Sequence, residues 1–203
     1  MSALPRLLVL TDRTQTAGRP LVEVVRAAVR GGARAVVLRE KDLPAPERAA
    51  LAAALRPHVE VLLVASDPTL AFDGGPADGV HLAGADPAPQ PAPPLVGRSC
   101  HDPGELSRAR RQGCHYVTVS PVFASRSKPG YGPTLGIDGL RGLVAAAGVP
   151  VFALGGVTPA NAAACLEAGA HGVAVMGEVM RAGDPASTVA ALGRAIAVAG
   201  GEP

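Results

Sequence analysis

Short, mainly apolar segments recur along the chain, separated by longer segments in which apolar residues return every three or four positions. The short segments are rich in valine and leucine without strict alternation, a pattern typical of strands buried on both faces of a parallel sheet. Eight strands are predicted, at residues 7–11, 35–38, 59–64, 79–82, 95–99, 116–119, 151–154 and 172–175. The helical periodicity predicts helices at 21–30, 45–55, 105–112, 159–168 and 188–198.

A glycine stands a few residues before several of these strands. Gly31, Gly75, Gly113 and Gly169 each occupy a position where a preceding element would end, and a short connector then leads into the next strand. Repetition of this unit predicts an α/β protein, a single small (β/α)8 TIM barrel. A doubly wound open sheet is the alternative, but no Gly-x-Gly-x-x-Gly follows the first strand. The Pro-rich run at 86–94 is predicted to replace most of one helix with an extended connector.

Composition supports one domain and excludes several partners. With 203 residues and 48% hydrophobic content, the chain can form a single core over residues 1–203. The net charge of +2 comes from scattered arginines and only 2% of residues are aromatic, so no nucleic-acid partner is expected. No apolar run approaches the ~20 residues of a membrane span, and the first residues lack the layout of a signal peptide, so we expect a cytoplasmic protein without membrane contact. Barrels of this size often self-associate, which leaves a homo-oligomer open.

The chain's cysteines give no sign of a disulfide framework or a zinc site. There are three, Cys100, Cys114 and Cys165, and they contain no Cys-x-x-Cys pair. We expect small buried residues at these positions.

The longest loop after a predicted strand carries hydroxyls and cations. Ser120, Ser125, Arg126, Ser127 and Lys128 follow the sixth strand among glycines and prolines. Residues after strand carboxyl ends share one rim of a TIM barrel, where ligands bind. Hydroxyl donors with a planar cation and a point charge suit an anion, so we interpret this loop as a phosphate-handling lid.

Two further groups on the same rim suit a diphosphate bound with a metal ion. Arg39 and Lys41 follow the second strand, and the only lysines of the chain are Lys41 and Lys128. Asp67 and Asp86 follow neighbouring strands and could bind Mg²⁺, which takes one or two carboxylates together with phosphate oxygens. Asp67 also precedes a proline, so an N-cap of a short helix is the alternative for it.

Glycines follow the last two strands. Gly155 and Gly156 come after strand seven, and Met176 and Gly177 after strand eight, the usual phosphate site of these barrels. We therefore expect a second, monophosphate-bearing ligand here, although Gly155-Gly156 as a simple turn is the alternative.

These motifs, taken in order, resemble those of the thiamine-phosphate synthases and cover the chain from Leu7 to about Arg194. The motifs are Thr11-Asp12, Leu38-Arg39-Glu40-Lys41, Ser66-Asp67, the segment 78–82, Asp86, Gly97-Arg98-Ser99 with His101, the segment 120–128 and the segment 153–157. The resemblance implies a (β/α)8 barrel that joins hydroxymethylpyrimidine diphosphate to hydroxyethylthiazole phosphate and releases pyrophosphate with Mg²⁺. It also implies a dissociative substitution, in which diphosphate leaves before the thiazole nitrogen captures the pyrimidine methyl cation.

The resemblance assigns roles residue by residue. Arg39, Lys41 and Lys128 resemble the diphosphate clamp, Asp67 and Asp86 the Mg²⁺ ligands, and Ser99 the serine near the reacting pyrimidine. Hydroxyls at Ser125 and Ser127 replace the usual lid threonines. Gly155, Gly156 and Gly177 would hold the thiazole phosphate.

Three positions depart from the family pattern and keep two other functions open. Val37 stands where a glutamine is usual, Ser66 where an asparagine is usual, and Gly84 where a glutamine is usual. The thiazole tautomerases resemble this chain in Arg-Glu-Lys and Gly-Arg-Ser, and His101 is the candidate general base for that reaction. The other alternative is a non-catalytic regulator that binds phosphorylated ligands on the same barrel.

Overall fold

The computed structural model describes residues 4–72, 74–127 and 132–200. Its parallel strands close into a barrel in sequence order, with the first strand paired to the eighth. The strands are β1 (Leu7–Leu10), β2 (Ala35–Leu38), β3 (Val61–Ala65), β4 (Gly79–Leu82), β5 (Leu95–Cys100), β6 (Tyr116–Val119), β7 (Val151–Leu154) and β8 (Gly172–Val175). The predicted α/β class and (β/α)8 TIM barrel are confirmed.

Helices surround the barrel in the described part of the chain. They are α1 (Leu21–Arg30), α2 (Ala45–Leu55), α3 (Pro103–Arg111), α4 (Gly136–Ala147), α5 (Ala162–Glu167), α6 (Gly177–Met180) and α7 (Pro185–Gly200). Two of them, α4 and α6, lie outside the segments predicted as helices. The start predicted for α5 was wrong by three residues, because the Asn161 side chain accepts the Thr158 N–H at 2.8 Å and closes a turn before the helix.

Two connectors lack an α-helix. A 3₁₀ turn at Pro68–Ala71 joins β3 to β4, and the Pro-rich segment before β5 contains no helix, as predicted. Because these connectors hold little regular structure, the backbone after β3 and β4 depends on side-chain contacts for its position.

Alternation along the strands divides the core in two. Ten buried residues face the barrel interior, including Leu8, Val37, Tyr116 and Phe152. The other strand face packs against the helices in a larger shell. Gly97 lies directly against the Tyr116 ring, where any Cβ would overlap the ring carbons, so glycine at this position admits the largest interior side chain.

None of the helices within the described residues is both long and apolar enough to span a membrane.

Candidate functional site

A cavity of about 870 Å³ opens at the carboxyl ends of the strands. Its lining includes eleven of the residues predicted for the two phosphate sites and the reacting pyrimidine: Arg39, Lys41, Ser99, Ser120, Ser125, Arg126, Ser127, Gly155, Gly156, Met176 and Gly177. Ser66, Asp67 and Asp86 do not line it; Ser66 and Asp86 are hydrogen-bonded to each other after β3 and β4. Lys128, predicted in the diphosphate clamp, lies outside the described residues.

A buried carboxylate positions the cationic side of the cavity. Glu40 is 2% exposed and accepts the Thr11 hydroxyl at 2.7 Å and the Arg13 backbone N–H at 3.2 Å. The Thr11 hydroxyl oxygen in turn accepts the backbone N–H of Arg39 at 2.9 Å. Thr11 and Glu40 therefore fix the loop between Arg39 and Lys41, a role that local sequence pattern did not reveal.

Asp86 is held by the segments that follow β3 and β4. Its Oδ2 accepts the Ser66 hydroxyl at 2.5 Å and the Ala83 N–H at 2.7 Å. Burial alone would raise the pKa of Asp86, but these hydrogen bonds and the charges of Lys41 and Arg98 outweigh it, and the pKa lies below its ordinary value. Asp86 is thus a carboxylate at neutral pH.

Asp67 occupies the N-cap position that was the alternative for it. Its Oδ1 accepts the backbone N–H of Thr69 at 3.2 Å and the Thr69 hydroxyl at 2.5 Å, at the start of the 3₁₀ turn. Its Oδ2 accepts Arg48 Nη2 at 2.9 Å. The N-cap is therefore present, and any cation at Asp67 would share Oδ2 with Arg48.

The loop that carries Asp86 is held from beneath by two arginines. Nη1 of the fully buried Arg98 donates to the carbonyls of Ala83 at 2.9 Å, Gly84 at 3.1 Å and Asp86 at 2.8 Å. Arg108 Nη2 donates to the Gly84 carbonyl at 2.5 Å. Because this connector contains no helix, the hydrogen bonds from the two guanidinium groups hold the loop in position.

A line of polar side chains crosses the barrel interior and ends at the cavity. His81 Nδ1 lies 2.9 Å from the Tyr116 hydroxyl, and His81 Nε2 lies 3.0 Å from the Ser99 hydroxyl. Burial, together with the charges of Lys41 and Arg39, lowers the pKa of His81 to about 3. A neutral imidazole donates through one nitrogen and accepts through the other, so His81 links the Tyr116 and Ser99 hydroxyls and constrains the orientation of Ser99.

The segment after β6 packs on Gly155 and Gly156. The N–H groups of Val122 and Phe123 donate to the carbonyls of Leu154 and Gly155, each at 2.9 Å. Both glycines have positive φ, and a Cβ on Gly155 would lie 2.9 Å from Pro121 Cα. Gly155 and Gly156 therefore form a turn, which was the alternative interpretation, and they also line the cavity.

His101 also lines the cavity. Its Nδ1 lies 2.7 Å from the Ser120 carbonyl oxygen, which can only accept, so Nδ1 carries the hydrogen of this contact.

The fold and this cavity define the chain as a (β/α)8 barrel with a polar, cationic ligand site at its carboxyl rim. The thiamine monophosphate synthase family model matches residues 7–179. The chain belongs to this family.

Relatives match over nearly the full chain. A thiamine-phosphate synthase of Roseiflexus castenholzii is 40% identical over 198 residues, which cover 91% of this chain and 85% of the relative. A thiamine-phosphate synthase of Methanoculleus marisnigri is 37% identical, with 97% of both chains covered. The solved thiamine phosphate pyrophosphorylase from Pyrococcus furiosus superposes with a TM-score of 0.84 at 30% identity, over 96% of each chain.

Proposed function

We propose that this protein is a thiamine-phosphate synthase, a transferase of thiamine biosynthesis. It would join hydroxymethylpyrimidine diphosphate to hydroxyethylthiazole phosphate and release pyrophosphate. One observation carries the proposal: a single cavity is lined by Arg39 and Lys41 at one part of the rim and by Gly155, Gly156 and Gly177 at another. Two phosphorylated substrates that must react with each other need two anion-binding regions in one site.

The diphosphate would bind at the cationic side. Arg39 supplies a planar donor fork and Lys41 a mobile point charge, both suited to phosphate oxygens. Lys128 is proposed as the third cation of this clamp on the strength of the family resemblance. The Thr11–Glu40 contacts support this role because they hold the backbone of Arg39 in place.

Asp86 fits the requirements for a magnesium ligand. Both of its hydrogen bonds run through Oδ2, so among the described residues Oδ1 has no hydrogen-bond donor. No cluster of three or more His, Cys, Asp or Glu side chains suited to a metal occurs in the described ranges, so the other ligands of Mg²⁺ would have to be substrate phosphate oxygens and water. Asp67 is proposed as the second ligand, in competition with Arg48. Mg²⁺ held there would neutralise charge on the departing diphosphate.

The thiazole phosphate would bind at the glycine-lined side. Gly155, Gly156 and Gly177 line the cavity without side chains of their own, so their backbone could face the phosphate. Ser125 adds a hydroxyl donor, while the Ser127 hydroxyl donates to Gln15. Met176 is proposed as an apolar contact for the thiazole ring.

A dissociative substitution needs no protein nucleophile, and the thiols support this. Burial raises the pKa of Cys100 to about 12 and that of Cys165 to about 11, so both stay protonated at neutral pH. The protein's part is to bind the leaving group and align the two partners, while Ser99, constrained by His81, contacts the pyrimidine.

The departures from the family pattern have structural explanations at two positions. Val37 faces the barrel interior between Leu10 and Leu63 of the neighbouring strands. Ser66 keeps a polar contact to Asp86 at the position of the usual asparagine. Gly84 has no side chain, but its carbonyl binds both Arg98 and Arg108. We propose that coupling tolerates all three changes.

One observation favours the alternative, thiazole tautomerisation. His101 lines the cavity, and the contact of its Nδ1 with the Ser120 carbonyl orients the imidazole that would act as the general base. This reaction would proceed without metal.

Purified protein incubated with hydroxymethylpyrimidine diphosphate, hydroxyethylthiazole phosphate and Mg²⁺ tests the proposal. Thiamine phosphate should form, and omission of either substrate or addition of excess chelator should abolish it. Absence of thiamine phosphate, with aromatisation of thiazole carboxylate phosphate in chelator, would replace the proposal by the tautomerase. Binding without either turnover would indicate the regulator. A cytoplasmic location and self-association are proposed alongside and are checked by fractionation and by light scattering.

A further inference from the structure

The space above Gly177 is occupied by two side chains from elsewhere in the chain. A Cβ at this position would overlap Arg181 Nη1 and the Ser127 hydroxyl oxygen. Arg181 follows one helical turn later, and helical side chains point back toward the N-terminus, which brings the guanidinium over residue 177. Both atoms belong to the ends of flexible side chains, so glycine at 177 leaves room for the guanidinium in this position, and a Cβ there would displace it.

Polar contacts hold the guanidinium in this position. Arg181 Nη1 donates to Gln15 Oε1 and, at 3.0 Å, to the Ser127 hydroxyl oxygen. Gln15 Nε2 donates to Asp12 Oδ2 at 2.5 Å, which orients the amide so that its oxygen faces Arg181. Ser127 also donates to Gln15 Oε1 at 3.0 Å, so the three side chains form one network.

The Arg181 guanidinium lines the main cavity, and this network does not use its Nε and Nη2 donors. Arg181, Arg126 and Ser127 border the cavity beside Gly177 and also border the neighbouring surface pocket of about 590 Å³. Within the described residues, the hydrogen bonds of Arg181 all use Nη1. Acidic groups nearby are Asp12, which is engaged by Gln15 and Thr14, and Glu178, which also lines the cavity.

We propose that Arg181 is a substrate-binding residue that pairs with the phosphate of the thiazole substrate. The inference rests on the proposed function for the identity of the ligand, and on the Gly177–Arg181–Ser127 geometry for the site. Arg181 Nε and Nη2 would donate to phosphate oxygens, while Nη1 stays anchored to Gln15. The phosphate would then be bound by a side-chain cation as well as by backbone and hydroxyl groups.

Calorimetric titration of hydroxyethylthiazole phosphate and of the unphosphorylated hydroxyethylthiazole separates this role from a structural one. Arg181→Ala should weaken binding of the phosphate ester about tenfold or more, the usual size of a lost charge-assisted hydrogen bond, and leave binding of the alcohol within about twofold. Arg181→Lys should restore part of the loss. In turnover, the KM for the thiazole phosphate should rise and the KM for the pyrimidine diphosphate should not.

Arg194→Ala, which removes an exposed arginine from α7, is the matched control and should change neither affinity. Equal losses for phosphate ester and alcohol in Arg181→Ala, or no loss for either, would overturn the role of Arg181. Failure of the wild-type protein to bind the thiazole phosphate at all would instead contradict the proposed function, so the two failures are distinguishable.

Discussion

Ser66 shows how a single backbone conformation serves the site. It has φ of 58°, in the left-handed region that glycine and asparagine adopt most readily, and its hydroxyl binds Asp86. The asparagine usual at this position in the family fits the same conformation. The strained serine turns its hydroxyl toward the proposed metal ligand.

The two proposed metal ligands, Asp86 and Asp67, are tested by two different substitutions. Asp86→Asn removes the negative charge of the proposed ligand whose Oδ1 has no hydrogen-bond donor among the described residues, so Mg²⁺-dependent turnover should fall by about two orders of magnitude or more.

Arg48→Ala removes the competitor at Asp67 Oδ2, so if Asp67 binds Mg²⁺ the half-saturating concentration of Mg²⁺ should fall. Magnesium titrations of activity provide both values.

Unchanged Mg²⁺ dependence in Asp86→Asn would contradict the metal assignment. An unchanged or raised half-saturating concentration in Arg48→Ala would limit Asp67 to capping the 3₁₀ turn.

Burial of His81 predicts a pH dependence of stability. An unfolded histidine has a pKa of about 6.5, whereas the folded pKa is about 3. Between these values the unfolded chain carries a proton that the folded chain does not, so stabilisation is complete above pH 6.5 and declines by up to about 1.4 kcal/mol per pH unit as the pH falls. His81→Gln removes this contribution.

Urea unfolding of the wild type and His81→Gln at pH 7, 6 and 5 measures the effect. The wild type should be the more stable at pH 7, and its advantage should shrink toward pH 5, while the other titrating groups cancel in the difference. A difference that does not vary with pH would mean that His81 is not held neutral.

Among the secondary-structure elements, β5 has a glycine against a large ring on one face and a buried arginine on the other. Gly97 faces the interior and admits the Tyr116 ring, while Arg98 faces the helices and supports the loop after β4. Nε and Nη2 of Arg98 have no hydrogen-bond partner among the described residues. The hydrogen bonds of Nη1 to the loop therefore come with two unsatisfied donors on the same buried guanidinium.

Gly97→Ala should destabilise the barrel because its new methyl group overlaps a ring that is 0% exposed. Overpacking of this kind costs about 1–3 kcal/mol. Gly142→Ala is the matched control: it lies on the exposed side of α4 with open space around its Cβ, and should stabilise by about 0.5–1 kcal/mol through helix propensity. Urea unfolding midpoints compare the two, and a neutral Gly97→Ala would show that Tyr116 can move.

At the scale of the whole molecule, the strands could be predicted to within about two residues at each end because each is a short, mainly apolar segment in a buried sheet. Contacts between loops distant in sequence could not be predicted. Thr11 binds Glu40 across 29 positions, and Gln15 binds Arg181 across 166, and neither pair leaves a local pattern. Sequence indicated which residues share the rim; the packing of the loops determines which of them touch.

The same distinction explains Asp67. A carboxylate followed by proline predicts both a metal ligand and an N-cap, because both functions use the same oxygens. The Arg48 contact comes from α2 and could be seen only in the folded structure.

The stoichiometry of the reaction tests the central claim most directly. In a single turnover with both substrates and Mg²⁺, pyrophosphate released and thiamine phosphate formed should be equal, and neither should appear without the thiazole phosphate beyond slow hydrolysis of the diphosphate. Pyrophosphate release at the full rate without thiamine phosphate would identify a hydrolase, and absence of both products with both substrates bound would contradict coupling in this cavity.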